Sequence, residues 1–295
     1  MDTRKLEIPS YQIYTINLPL CDLHVMEAGD GSPLIIVPAT ISRLENWTDL
    51  IQFMAQWFRV YFFELPGHGD STPFADGFST DLVAKTVEDL VDHLGFERFN
   101  LMGFSFGGIV AMKTFFYLHQ RIDRLMLIAP CLTKQAVRLS RLRIGFVRKI
   151  NKFLGLPVVQ SVFFKLLKFG LFRYVIVKFF RRLGNIEQAV ELEKKLAEIH
   201  ITTLEVLTAE IEEILTVEFP SLKTYPTPCY FAMSIYDPLL NYQRSLKEAQ
   251  THFENLNSIE LYFPFHQPPQ PFTFHELNEN FHATVNRFIN EPASS

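Results

Sequence analysis

Cysteine is scarce. The chain has three among 295 residues, Cys21, Cys131 and Cys229, far apart. An odd, scattered set argues against a disulfide framework and a cysteine-based zinc site, and suits a reducing compartment. Long uncharged apolar runs are also missing. No stretch of about 20 residues is free of charge, so no transmembrane helix is expected. The first residues, MDTRKLEIPSYQIY, lack a long apolar run behind a basic start, so no signal peptide is expected either. The expected location is the cytoplasm. Acidic residues are absent over one long span. From Lys134 to Arg182 there are 13 Lys or Arg and no Asp or Glu. Against a chain total of −4, this leaves the remainder at a formal −17. From Glu187 to Glu218 the sign reverses, with nine Glu against two Lys. A reversal of this size within one region demands an explanation. There is no internal repeat and no low-complexity tract.

What is present is ordinary in bulk. The chain is 48% hydrophobic and 20% charged, the composition of a globular protein with a large core. One α/β domain of roughly 200 to 250 residues plus an insertion fits the length. Phenylalanine is abundant, 29 residues. It implies either a Phe-rich core or a spacious apolar pocket.

The pattern along the chain is regular. Residues 10–28 alternate as two antiparallel strands. PLIIV (33–37) reads as a short buried strand, 47–58 as a helix and 59–65 as the next strand. Residues 79–96 form an amphipathic helix capped by Ser79 or Thr80 and stopped at Gly95. A strand (98–103), a helix (106–120) and a strand (124–130) follow. Strand and helix thus alternate from 33 to 130, which predicts an α/β fold with a doubly wound, mostly parallel sheet. All strand C-termini then lie on one edge, where such sheets carry their sites. After residue 130 comes a helical block to about 218. The alternation then resumes with strands at 229–235 and 258–263 and helices near 239–252 and 276–290. The expected organisation is a core of residues 1–130 and 219–295, with 131–218 inserted as a helical cap.

The stretch LMGFSFGGIV (101–110) carries the chemistry. Ser105 follows a predicted strand and opens a predicted helix, the placement of a nucleophile elbow. There the serine sits at a strained backbone angle, and side chains at Gly103 and Gly107 would collide with the adjacent strand and helix. The helix start offers unpaired N–H groups and its positive end to an oxyanion.

With this motif the chain resembles the α/β-hydrolase superfamily, over roughly residues 20 to 290. GFSFGG matches its nucleophile elbow. ELPGHGDS (64–71) matches its Asp-x-Pro-Gly-His-Gly-x-Ser turn, with Glu64 in place of Asp. His68 in that turn reads as a turn-stabilising residue. The resemblance implies a Ser-His-acid triad. The acid is Asp237 in CYFAMSIYDPLL, which is similar to the family's Gly-x-x-Asp loop with Ser234 where Gly would stand. Its other reading is the N-cap of helix 239–252. The base is less direct. Counted back from the last helix, the family's histidine position falls near Pro271, which cannot accept a proton. QPPQP looks like an insertion, which favours His266, directly after the strand, over His275 at the mouth of the helix. His282 reads as a surface residue. The oxyanion donors implied are the backbone N–H groups of Thr40 and Phe106, although Pro38-Ala39 stands where the family commonly has His-Gly.

The function implied is a serine esterase or lipase acting on a hydrophobic carboxylic ester, with no metal and no cofactor. A carbon–carbon bond hydrolase or thioesterase would use the same parts. The other class is a hydrolase-fold protein that binds a hydrophobic ligand without turnover. Residues 156–182 combine Phe, Leu, Val and Ile with basic faces, Ser161, Lys165 and Lys168 on one helix and Arg173, Lys178, Arg181 and Arg182 on the next. One reading turns the apolar faces inward and the basic faces to solvent. A second docks the cap on a membrane surface. The Glu-rich residues 186–215 are expected to pair with the basic helices. Nucleic-acid binding is not expected, since no binding motif is present and the chain is acidic.

Overall fold

Ser32–Val37 is apolar on both sides of the strand, so both sides need cover. Leu34 and Ile36 fall in one buried cluster, Ile35 and Val37 in the other. The computed structural model describes residues 7–184, 193, 196–197, 199–220, 223–266 and 272–290. Its strands are β1 (Tyr11–Asn17), β2 (Asp22–Ala28), β3 (Ser32–Val37), β4 (Phe58–Phe63), β5 (Phe99–Phe104), β6 (Ile122–Ile128), β7 (Cys229–Ser234) and β8 (Leu256–Leu261). They form one sheet in the order β1-β2-β4-β3-β5-β6-β7-β8. β1 and β2 pair antiparallel, as does β2 with β4, and the remaining pairs are parallel. The antiparallel start and the doubly wound parallel sheet are as the sequence pattern predicts.

Helices cover both faces. α1 (Thr48–Met54) packs with α9 (Phe274–Asn290) on one side. α2 (Thr80–His93), α3 (Gly107–Leu118) and α8 (Tyr242–His252) cover the other. The phenylalanines go largely to these two interfaces. Phe53, Phe58 and Phe62 are fully buried on the α1 side, and Phe99, Phe115 and Phe231 on the α3 side. Each such side chain contributes roughly 1.5–3 kcal/mol of burial free energy.

Two boundaries move from their sequence positions, and a third is decided between two candidates. α1 is shorter than 47–58, because Leu44–Trp47 makes a tighter 3-10 turn and Phe58 leaves the helix to pair with Ser32 in the sheet. Ser79, not Thr80, caps α2, its side chain accepting from the Leu82 N–H. α8 begins at Tyr242, with Asn241 as its cap.

Between β6 and β7 the chain forms α4 (Arg141–Leu154), α5 (Pro157–Leu167), α6 (Gly170–Gly184) and α7 (Ile201–Thr216). α4 and α5 pack on α7, and α6 packs on α5. α7 meets the core at the ELPGHGDS turn, where Thr203 Oγ1 donates to the Gly67 carbonyl at 3.0 Å. No single helix among the described residues is long and apolar enough to cross a membrane.

Candidate active site

The strand order reverses at β3. The chain goes from β3 to β4 on one side, and then to β5 on the other. Ligand sites of open α/β sheets lie at such a switch point, beyond the carboxyl ends of the strands. Here Val37 lies opposite Gly103, so the loop after β3 and the turn after β5 face each other.

That turn holds Ser105 at φ +50°, a left-handed conformation that costs a non-glycine residue about 1–2 kcal/mol. Four contacts fix it. The Ser105 N–H donates to the Ile128 carbonyl at 3.0 Å, and its own carbonyl accepts from Gly108 and Cys131 N–H groups, each at 3.0 Å. The fourth is the close approach of α3. A Cβ on Gly107 would stand 2.4 Å from the carbonyl oxygens of Val37 and Pro38, and one on Gly103 would stand 2.7 Å from the Ala111 Cβ. The collisions expected from the sequence are therefore real, and Gly107 seats the β3 loop directly on the start of α3.

Ser105 Oγ lies 2.6 Å from His266 Nε2. His266 Nδ1 lies 2.7 Å from Asp237 Oδ2. The other oxygen, Oδ1, accepts from the Leu239 and Leu240 N–H groups at 2.8 and 2.9 Å. Every group on Asp237 donates to it, the pattern of a carboxylate. It therefore accepts a hydrogen bond from the Nδ1–H of His266, which turns the Nε2 lone pair to the serine hydroxyl. Asp237 is 1% exposed. It fastens its own loop through Oδ1 and orients the histidine through Oδ2, while capping of α8 falls to Asn241.

His275 is elsewhere. It is exposed in the first turn of α9, and its described contact is the ring of Phe274. The reason is local. Thr273 and Glu276 form a reciprocal capping box, Thr273 N–H to Glu276 Oε2 at 2.8 Å and Glu276 N–H to Thr273 Oγ1 at 3.3 Å. That fixes the helix start and leaves His275 outward. The Thr-x-x-Glu spacing was the available sequence signal. His282 is exposed beside Trp57, a surface residue as expected. Pro271 and the QPPQP stretch lie outside the described residues.

Two further groups lie beside the serine. The backbone N–H groups of Thr40 and Phe106 hydrogen-bond to nothing among the described residues. They flank the point where the β3 loop meets α3, and Phe106 is the N-cap residue of that helix. Ser234, in the position of a family glycine, ties the acid and base loops together. Its hydroxyl donates to the Phe263 carbonyl and accepts from the Tyr236 N–H at 3.1 Å. The sequence did not single out this role.

The ELPGHGDS turn is structural. Glu64 Oε2 accepts from the Asp70 N–H at 2.6 Å and Oε1 from the Leu44 N–H at 3.3 Å, joining the turn to the β3 loop. Burial raises the Glu64 pKa, opposed by these donors and by Arg43. His24, Glu64 and Asp70 bring three ligand-type atoms within 4.8 Å, but Arg43 stands 3.7 Å from Glu64 and 4.0 Å from Asp70 and supplies the positive charge there. His68 is fully buried, 3.6 Å from Glu210 of α7, which is 0% exposed. Neither side chain has a hydrogen-bond partner among the described residues. Burial lowers the His68 pKa to about 4 and raises that of Glu210 to about 8, so both are neutral at pH 7.

The comparisons agree with this fold. The family pattern of the alpha/beta hydrolase fold matches residues 32–165. A putative lipase of Acinetobacter baumannii superposes with a TM-score of 0.70 at 13% identity, covering 95% of this chain and 92% of that one. The chain has the fold of the α/β-hydrolases. Among curated relatives, this chain is 26% identical over 156 residues to pimeloyl-[acyl-carrier protein] methyl ester esterase of Nitrosomonas europaea, covering 48% of this chain and 60% of that protein. It is 30% identical over 106 residues to soluble epoxide hydrolase of Corynebacterium sp., covering 36% and 37%. The chain spans between 30% and 60% of the length of the curated relatives it matches.

Proposed function

We infer that this protein cleaves carboxylic esters through a serine nucleophile. The observation that carries the reading is the unbroken relay from Asp237 through His266 to Ser105, beside two unengaged N–H groups. Ser105 Oγ attacks the ester carbonyl while His266 Nε2 takes its proton. The oxyanion that forms accepts from the Thr40 and Phe106 N–H groups at the positive end of α3. One such donor is worth about 2.7–4 kcal/mol in the transition state. His266 then protonates the departing alkoxide and leaves an acyl-enzyme. Water, deprotonated by His266, attacks the acyl carbon and restores Ser105.

The nature of the nucleophile selects among the relatives' reactions. Attack of a serine oxygen on an epoxide would leave an ether, with no acyl carbon for water to attack. Attack on an ester leaves an acyl group that water can remove. Similarity to the N. europaea esterase therefore carries more weight than similarity to the epoxide hydrolase. The substrate is hydrophobic on this reading. The side chains beside His266, Met233, Leu261, Phe263 and Phe265, are apolar. Residues 131–218 serve as the cap, α7 standing against the β3 loop around a small cavity of about 40 Å³, with Ile41, Arg43, His68 and Thr203 in its walls.

Labelling with a fluorophosphonate probe tests the relay. The wild type and His275→Ala label alike, Ser105→Ala does not label, and His266→Ala labels at least about 100-fold more slowly. A folded wild type that stays unlabelled overturns the reading and leaves a ligand-binding protein of the same fold. Hydrolysis of p-nitrophenyl esters of increasing chain length then tests the hydrophobic preference. A rate that falls with chain length overturns it.

A further inference from the structure

On α4–α6 the amphipathic pattern is turned outward. Leu142, Phe146, Ile150 and Phe153 recur at helical spacing along α4, and all are exposed, Leu142 by 88% and Phe146 by 66%. The opposite face, against α7, is polar. Asn151 is buried there, its Nδ2 donating to the Thr208 carbonyl at 2.7 Å, and Arg148 pairs with Glu212. α5 repeats the stripe at the same spacing with Val158, Val162, Leu166 and, just past its end, Phe169, while Gln160 is buried. α6 adds Leu171, Tyr174 and Val175. The reading that turned these apolar faces inward is therefore reversed. Three consecutive helices exposing apolar stripes make a patch that soluble monomers rarely carry uncovered.

The charge beside the patch identifies its cover. On α4, Arg143 and Lys149 flank the stripe at its two margins, with Lys152 beyond Lys149. Arg141, Arg143, Lys149, Lys152 and Lys165 are in no ion pair among the described residues, where the expected pairing with the Glu-rich segment is seen at Arg148–Glu212; Glu187, Glu191 and Glu198 lie outside the described residues. The side chains of Arg181 and Arg182 lie outside the described residues. A second copy would bring this basic surface against itself, with like charges opposed. Nucleic acid would leave the apolar stripes in water. Spanning a bilayer is no better, since α4 and α5 meet at 89°. Apolar stripes flanked by Lys and Arg fit a bilayer whose headgroups are anionic.

We propose that α4–α6 dock in the plane of an anionic lipid surface, apolar stripes at the acyl boundary and basic side chains at the phosphates. The surface is separate from Ser105, so docking and hydrolysis stand or fall independently.

Co-sedimentation with vesicles decides it, using phosphatidylcholine alone and phosphatidylcholine mixed with phosphatidylglycerol. The wild type pellets with the mixed vesicles at low salt, far less with the neutral ones, and is released by high salt. The triple variant Leu142→Ser, Phe146→Ser, Phe153→Ser and the double variant Lys149→Glu, Lys152→Glu each bind about tenfold or more weakly. All substituted positions are exposed, and thermal unfolding confirms that each variant folds. Absence of wild-type binding at low salt overturns the proposal, as does equal binding to neutral vesicles or unchanged binding by the triple variant. Sedimentation velocity supplies a further check. A wild-type dimer that dissociates on the same apolar substitutions, without vesicle binding, overturns it in favour of self-association.

Discussion

Ser105 and Phe146 both sit against the preference of their residue type, one in backbone and one in solvation. Ser105 holds a left-handed angle, but every group around it is engaged: its N–H, its carbonyl and the packing at Gly103 and Gly107. Its strain is offset within the molecule. Phe146 is two-thirds exposed, and the polar face of its helix occupies the buried side. Nothing among the described residues offsets that exposure. Strain repaid internally marks a site whose geometry is already complete, ready before any substrate arrives. Exposure that the described residues leave unrepaid marks a surface open to a partner.

The contrast can be broken or sharpened by substitution. The largest effect belongs to the relay. Asp237→Asn keeps the side-chain shape but misdirects the His266 tautomer, and ester turnover falls about 10⁴-fold. A loss below tenfold, measured as kcat, would remove Asp237 from the relay. Gly107→Ala comes next. Its Cβ meets two backbone oxygens that cannot rotate away, so unfolding in denaturant shows a loss of about 3 kcal/mol or more together with lost turnover.

Third is the buried His68–Glu210 contact. Burial raises Glu210 from 4.5 to about 8, so unfolding releases its proton over that interval and stability falls as pH rises. Burial lowers His68 from 6.5 to about 4, so unfolding takes up a proton there and stability rises with pH. The slopes oppose between about pH 4.5 and 6.5, and Glu210 acts alone from 6.5 to 8. Over that last window stability drops by about 2 kcal/mol, and Glu210→Gln flattens the drop. Denaturation curves at pH 6.5 and pH 8 measure it. Smallest is Phe146→Ser, which changes stability by no more than about 0.5 kcal/mol. A larger loss would show that Phe146 packs within the fold, and would remove the contrast with Ser105.

Much of the core was legible because its signals are local. Period-two alternation places Ile35 and Ile36 on opposite faces whatever surrounds them. Ser105 and its glycines answer to one turn. Asp237 and His266 each follow a strand end, where the topology points functional side chains. Boundaries were less legible. Phe58 suits helix or strand equally, and its pairing with Ser32 decides. The direction of α4–α6 was hidden for a different reason. A sequence shows that a helix has two faces but not which one meets the rest of the chain, and here Asn151 and Gln160 take the buried side against their usual preference.

The Ser234 bridge has a consequence for the family's tolerance of change. By clasping the Phe263 carbonyl it secures the base loop from the strand side, upstream of His266. The spacing from His266 to the last helix then carries no geometric information for the relay. Lengthening the chain between two fixed points is cheap, about 0.6 kcal/mol for each doubling. Evolution could thus write QPPQP into this stretch without redrawing the relay.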